Sequence, residues 1–358
     1  MSVREDPLLG WADGMVRKIW SKARIVRSAA LRGDLSTRRF WRMTIDGGSA
    51  PSSAILVDLG PDELPGYARA LRLVSEPLAE PPWLTVHRFL TTLGVPVPGI
   101  YAVDRPGRAM LIEDLGETSL VEAVRHQPSE TADLFRLAIE LLLLFHVKGT
   151  RALPAKLLPA TIAYDERLFR WELKEFLDLG CATLHADPGA LTPELDALAG
   201  ELGRLPRVLS HRDYHGQNLF VKRQTGASTL RVIDFQDALM APAAQDLAVL
   251  LTTRDMAALI SPALERRLLD FYYASLTRLG AETLSAKAFS RSYQLCVLQH
   301  AIKMMGRFLM FDRSGKPGYA AFVPHTIDQA RRILGGPCAT DFPVLARAFH
   351  ASQMESLQ

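Results

Sequence analysis

The chain is poor in cysteine. Its 358 residues include Cys181, Cys296 and Cys338, widely spaced and never in a C-x-x-C pair. That excludes a disulfide framework and a zinc knuckle, and fits a reducing cytoplasm. A dominant charge is missing too: 42 Lys and Arg against 39 Asp and Glu leave +3, too little to point to nucleic acid. The longest apolar run, 134–147, spans only about 14 residues, too few to cross a bilayer, and reads as a buried helix. It also carries Arg136 and Glu140. The N-terminus, M-S-V-R-E-D, has acids early and no apolar h-region, so it does not read as a signal peptide. A P-loop is missing: in S-G-K-P-G, Met310 stands where the first glycine is needed and Pro317 where Ser or Thr is needed. So is the G-x-S-x-G elbow of a serine hydrolase. Ser210, His211 and Asp213 lie too close in sequence to form a nucleophile–base–orienter chain. Lysine is absent between Lys22 and Lys148, and asparagine occurs once, as Asn218.

What is present has a clear order. Residues 1–23 read as a helix, with Trp11, Met15, Ile19 and Trp20 at helical spacing. Strand texture follows at 23–29, 40–45 and 54–59, with the turn D-G-G-S after the second. A proline-broken helical region, 64–93, precedes two more strands at 94–104 and 108–116. Beyond Gly116 the helical period prevails, at 118–127, 130–148, 164–185, 191–203, 243–259, 262–279 and 286–311. The exception is 210–238, where short apolar strands at 219–222 and 230–234 flank a polar turn.

That stretch carries the chemistry: S-H-R-D-Y-H-G-Q-N-L-F-V-K…L-R-V-I-D-F-Q-D-A. Asp213 is followed five residues later by Asn218, and Asp234 comes sixteen residues after that, at the end of an apolar run. A loop carboxylate can orient a hydroxyl and accept its proton, while a carboxamide and a second carboxylate are hard oxygen ligands suited to Mg²⁺ on a nucleotide triphosphate. A carboxylate at the end of an apolar strand is costly unless it meets a cation. Asp246, at a helix start, reads either as a brace for the Asp213 loop or as a plain N-terminal helix charge.

On the motifs S-T-R-R-F-W-R (36–42), I-L-V-D-L-G-P (55–61), L-I-E-D-L-G (111–116), H-R-D-Y-H-G-Q-N (211–218), V-I-D-F-Q-D-A (232–238) and L-Q-H-A-I-K-M-M-G-R-F (298–308), the chain resembles the aminoglycoside phosphotransferase and choline kinase superfamily. The resemblance covers roughly residues 24–335 and is nearest to the anomeric N-acetylmuramate and N-acetylglucosamine kinases of bacterial cell-wall recycling. It implies an α+β, bilobal, protein-kinase-like fold. An N-terminal helix (1–23) would precede a small antiparallel nucleotide-binding lobe (24–115) and a larger helical lobe (116–350) that carries catalysis and the acceptor.

The resemblance also implies roles. Asp213 is the base, and Asn218 and Asp234 hold Mg²⁺. Ser36, Thr37, Arg38 and Arg39 meet the phosphates of ATP, and the Glu113 and Leu115 backbone meets adenine. Glu172 and Glu175, at helical spacing with Phe169 and Phe176, read either as partners of sugar hydroxyls or as ordinary amphipathic surface, and His215, Lys303 and Arg307 are further acceptor candidates, the last two otherwise solvated or facing phosphates. One departure stands out: the third strand reads A-I-L-V-D-L, with no lysine for the α- and β-phosphates, so Arg38, Arg39 or Arg42 would have to supply the cation. Seven Lys or Arg against two acids in 291–335 favour a neutral or anionic acceptor over a polycation. Lys303 or Arg307 would then pair with a lactyl carboxylate. The expected activity is an ATP- and Mg²⁺-dependent sugar 1-kinase on a small-molecule acceptor, with neither nucleic acid nor membrane as partner. The alternatives are another small-molecule kinase of the superfamily (aminoglycoside, choline or homoserine type) and a non-catalytic pseudokinase.

Overall fold

The structure is a computed structural model that describes residues 7–31, 38–60, 64–74, 77–104, 108–224, 227–254, 256, 258–281, 283–316 and 318–351. Ser36 and Thr37 lie outside the described residues. The chain divides into two compact units: Met1–Thr118 with Phe220–Gln236, and Ser119–Leu219 with Asp237–Gln358. The hairpin 220–236 thus groups with the N-terminal segment, although it comes after the first helices of the second unit.

In the first unit, α1 (Pro7–Ile19) precedes strands β1 (Arg24–Leu31), β2 (Arg39–Asp46) and β3 (Ser53–Asp58). Helices α2 (Gly66–Ala70) and α3 (Pro82–Thr92) follow, then β4 (Ile100–Val103) and β5 (Ala109–Glu113). The five strands form one antiparallel sheet in the order β1-β2-β3-β5-β4. Alternation sets the packing: Met43 and Ile45 of β2 point inward while Thr44 and Asp46 are exposed. The inward face meets Leu9, Ala12 and Val16, one stripe of α1, together with Ala54, Leu56 and Leu111. The β2–β3 turn holds Gly47 and Gly48 at φ 94° and 64°, and a Cβ on either would strike the backbone carbonyl of Lys22 or Ser21. On β3, Ala54–Val57 are all buried, so an apolar segment occupies the strand that in kinases carries the lysine.

The second unit is helical around two short strands. Its helices are α4 (Leu120–His126), α5 (Thr131–Leu143), α6 (Thr150–Ala152), α7 (Leu158–Thr161), α8 (Glu166–Glu175), α9 (Cys181–Thr183) and α10 (Pro188–Gly203). After β6 (Arg207–Ser210) the chain forms the hairpin β7 (Leu219–Gln224) and β8 (Ala227–Val232), then β9 (Leu239–Pro242). It ends in α11 (Ala243–Thr252), α12 (Pro262–Arg278), α13 (Ala286–Arg313), α14 (Val323–Leu334), α15 (Cys338–Asp341) and α16 (Pro343–Ala351). The apolar run of the sequence is α5 followed by a π-helical turn, Leu144–Gly149, and it is buried as expected. Among the described residues no helix is long and apolar enough to cross a membrane. Gly306, midway along α13, lies directly against the backbone of Glu175 and Phe176 at the end of α8. A side chain there would collide with the Phe176 backbone nitrogen, so the glycine lets the two helices meet and aligns Lys303 and Arg307 with Glu172 and Glu175.

Candidate active site

The H-R-D loop leaves β6, which pairs antiparallel with β9 in the register Ser210↔Leu239. Asp246, fully buried in the first turn of α11, holds the loop from behind. Its carboxylate accepts the His211 N–H at 2.8 Å, the Arg212 N–H at 2.9 Å and His146 Nε2 at 3.1 Å. His146 Nδ1 in turn meets the Tyr272 hydroxyl at 2.7 Å. Of the two readings of Asp246, the brace is the one seen. Tyr214 OH donates to the Ala138 carbonyl at 2.8 Å and pins the far side of the loop. Between these anchors Arg212 takes φ 76°, a left-handed conformation that non-glycine residues adopt at a cost of order 1–3 kcal/mol and that surrounding contacts must hold.

Asp213 follows that strained residue. Its side chain is 37% exposed, so the carboxylate is open to a substrate. Loss of solvent works against its ionisation, but Arg212, Lys303, His215 and His211 outweigh it and hold the carboxyl down at about 2. The Arg212 guanidinium lies 3.7 Å from Asp213 and 3.8 Å from Asp237, and bonds Glu172 at 3.0 Å. Asn218, in the turn Gly216–Asn218, donates to the Asp213 carbonyl at 2.9 Å and approaches His215 Nε2 at 3.3 Å. Both contacts use the amide nitrogen. The carboxamide oxygen is therefore turned away from them and fits a hard cation.

Glu172, placed by α8 with Asp165 as N-cap, is fully buried. It bonds Arg212 and Lys303 at 3.0 Å each, Gln299 at 3.3 Å, and the Tyr164 hydroxyl. Burial would raise its pKa, but Lys303 and Arg212 overcome that and lower it. Glu172 and Lys303 are thus spent on each other, and Glu172 connects α13 to the catalytic loop. One turn on, Arg307 pairs with Glu175 at 3.0 Å, both about a quarter exposed. Burial raises the Glu175 pKa, so this pair is the looser one. His215 is half-buried beside Asn218.

The first unit holds Asp234 just past β8, also left-handed at φ 64°. Its Oδ1 accepts from Arg38 at 3.1 Å and from the Gln236 amide at 3.0 Å. Its side chain is 35% exposed, so a cation already rests on an accessible carboxylate. Phe235 is buried against Trp83 and His87, with ring centroids at 5.1 and 6.0 Å. Arg39 is committed to Asp58 at 2.6 Å, and Arg42 to Asp114 at 2.9 Å and to Glu117. The Glu113 side chain receives Lys222 at 3.1 Å, Arg231 at 3.8 Å and the Gly99 N–H at 3.1 Å. Burial opposes ionisation of Glu113, but the Gly99 N–H, Lys222 and Arg231 lower its pKa. The hairpin therefore returns a lysine, Lys222, to a unit whose N-terminal segment has none beyond Lys22. His146, Gln299 and Tyr164 support the site without having been singled out in the sequence.

An antiparallel N-terminal sheet, a mostly helical remainder and an H-R-D…N…D arrangement define a phosphotransferase of protein-kinase-like fold. The sequence profile of the phosphotransferase enzyme family matches residues 29–281, and the chain belongs to that family. Among curated proteins it is 28% identical to an N-acetylmuramate/N-acetylglucosamine kinase of Caulobacter vibrioides, over 84% of this chain and 85% of that one. It is 30% identical to the protein of the same name from Pseudomonas aeruginosa, over 68% and 70%. Among solved structures, a choline kinase from Cryptosporidium parvum superposes with a TM-score of 0.62 at 13% identity, over 95% of this chain and 99% of that one. An ADP-bound aminoglycoside phosphotransferase gives 0.54 at 12%, over 89% and 99%.

Proposed function

We propose that the protein transfers the γ-phosphoryl group of ATP, with Mg²⁺, to the anomeric hydroxyl of N-acetylmuramate, N-acetylglucosamine or both, within the cytoplasm. The observation that carries the reading is Asp213: an accessible carboxylate held ionised by cations, at the end of a loop braced from behind by Asp246. Its low pKa fits a group that orients the hydroxyl and takes the proton late, as the O–P bond forms, in a loose transition state. Asn218, with its amide oxygen disengaged, and Asp234, already carrying a cation, are the proposed oxygen ligands of Mg²⁺. Bound there, the ion would neutralise charge on the phosphates. Arg38 and Arg39, with Ser36 and Thr37, are the proposed phosphate contacts, and the Glu113–Leu115 backbone the adenine contact. Glu172, Glu175, His215, Lys303 and Arg307 remain the proposed acceptor wall, Glu172 and Lys303 acting through the loop they anchor.

Curated relatives at 26–30% identity bear amino-sugar kinase names, which supports the acceptor class. One aromatic cluster that could hold a quaternary ammonium is already filled. The aromatic cluster Phe308, Tyr319 and Phe322 already surrounds Arg254, whose guanidinium lies 4.0 Å from the Phe322 ring. The test is coupled ADP release with N-acetylmuramate, N-acetylglucosamine, kanamycin and choline, followed by NMR of the product. Turnover of the amino sugars to a 1-phosphate is expected; phosphate on another hydroxyl, or turnover of kanamycin or choline alone, refutes the reading.

A further inference from the structure

Two of the buried histidines have hydrogen-bonded rings. His87 Nε2 meets the Pro98 carbonyl at 2.7 Å, and both nitrogens of His146 are engaged. His300 on α13 is only 7% exposed, yet its Nδ1 is enclosed without a hydrogen-bond partner, and among the described residues Nε2 makes no hydrogen bond either. Its place is not incidental. It lies one turn from Lys303 and next to Gln299, the two α13 residues that bond Glu172. The charges of Lys303, Glu172, Asp213 and His215 act on it, so it lies within electrostatic reach of the base. Burial, with Lys303, outweighs the nearby carboxylates and holds the imidazole neutral, down at about 3.

A neutral imidazole carries one N–H. A buried N–H without an acceptor is rarer and costlier than an unmet lone pair, so the proton belongs on Nε2, the nitrogen that is not enclosed. The ring then offers one uncharged donor on α13, one turn from Lys303 and next to Gln299. Lys303 and Arg212 are matched in charge by Glu172 and Asp213, so this spot does not call for an anion. It suits a neutral oxygen. On a 2-acetamido sugar whose C1 hydroxyl faces Asp213, the amide carbonyl on the adjacent carbon is the strongest neutral acceptor within reach.

We propose that His300 is an acceptor-binding residue that donates from Nε2 to the acetamido carbonyl of the sugar and thereby selects N-acetylated acceptors. The assignment rests on the amino-sugar reading above. It is tested by steady-state kinetics of His300→Ala, His300→Asn and His300→Gln on N-acetylglucosamine, with thermal unfolding of each variant in parallel. A glutamine amide reaches the position of Nε2, whereas an asparagine amide reaches that of Nδ1. Loss of the hydrogen bond in the Ala and Asn variants should raise the acceptor KM about tenfold while kcat and the ATP KM stay near wild type. The Gln variant should recover most of that loss. Should Ala fail to fold, the Asn–Gln contrast decides. An acceptor KM unmoved in the Ala variant, Asn rescuing as well as Gln, or an effect confined to the ATP KM overturns the assignment alone. Wild-type enzyme inert toward every N-acetylated sugar overturns the substrate reading and this assignment with it.

Discussion

Glu172→Gln is the sharpest test of how the site is held. The carboxylate is fully buried and bonds two cations at 3.0 Å, and those cations are themselves only 12% and 8% exposed. Removing its charge leaves Arg212 and Lys303 in protein with no carboxylate partner of equal quality. Breaking a buried pair from one side costs about 3–5 kcal/mol, and one of the two cations here keeps Asp213 nearby, so about 3 is expected. For a unit of this size that corresponds to a fall in melting temperature of roughly 6–12 °C. The folded-state pKa of Glu172 is lowered, so its contribution is present above the unfolded carboxyl pKa and is lost as pH falls through the folded value. Wild-type stability should therefore decline in acid below about pH 4, and the variant should show a flatter decline. Urea denaturation between pH 3 and pH 7 reads both effects. A double cycle with Lys303→Met should return a coupling of about 0.5–3 kcal/mol. A loss below about 1 kcal/mol with no coupling would mean that the pair is not what holds Arg212 in place.

Three further outcomes follow from the same geometry. Asp213→Ala should abolish detectable turnover while fluorescence titration shows ATP still binding, and appreciable residual activity would reduce Asp213 to a positioning group. Arg38→Ala should raise the ATP KM several-fold. It should also tighten nucleotide-free Mn²⁺ binding, read by electron paramagnetic resonance, because the guanidinium 3.1 Å from Asp234 no longer competes; unchanged Mn²⁺ affinity would show that the ion pair does not guard the site. Arg307→Ala should impair N-acetylmuramate more than N-acetylglucosamine, about tenfold in kcat/KM for one lost charge-assisted bond, since the lactyl carboxylate can displace the loosely held Glu175. Equal loss on both sugars would assign Arg307 to packing.

How legible was the site in the sequence? Asp213, Asn218 and Asp234 stood out as candidates because they sit within one short stretch, and the long helices were readable because their periodicity is strong. The five-stranded sheet was readable as five separate strands. Its order, and the grouping of 220–236 with the first unit, were not. Those rest on contacts such as Val221 N–H to the Thr118 carbonyl, Val232 N–H to the Pro96 carbonyl and Lys222 to Glu113, which are remote in sequence. The four-residue strands β6 and β9 are too short to show a period. Glu172 read as one face of an amphipathic helix, which left open whether it meets substrate or protein; its partners come from positions 212, 299 and 303. His146 did leave a signal, a single imidazole inside an apolar run, and so did His300, a single imidazole in the middle of α13. In both cases the period marks burial but cannot show whether a partner waits at the ring.

The missing lysine has a physical explanation in how the first unit distributes its cations. β3 is buried along Ala54–Val57, and a lysine placed inward on it would have to be desolvated. The cations sit elsewhere, each against a carboxylate: Arg39 on Asp58, Arg42 on Asp114 and Glu117, Lys222 on Glu113. Those carboxylates belong to the sheet and its outgoing linker. Asp234, paired with Arg38, differs, because it is the carboxylate proposed to hold the metal. With a metal held there as proposed, the Arg38 guanidinium would lose that partner as the triphosphate arrives. A planar, permanently charged group then faces phosphate oxygens it can bind in bidentate fashion. On the reading proposed above, the absence of a strand lysine and the presence of the Arg38–Asp234 pair are two sides of one arrangement: the proposed phosphate-binding cation is stored on the proposed metal ligand.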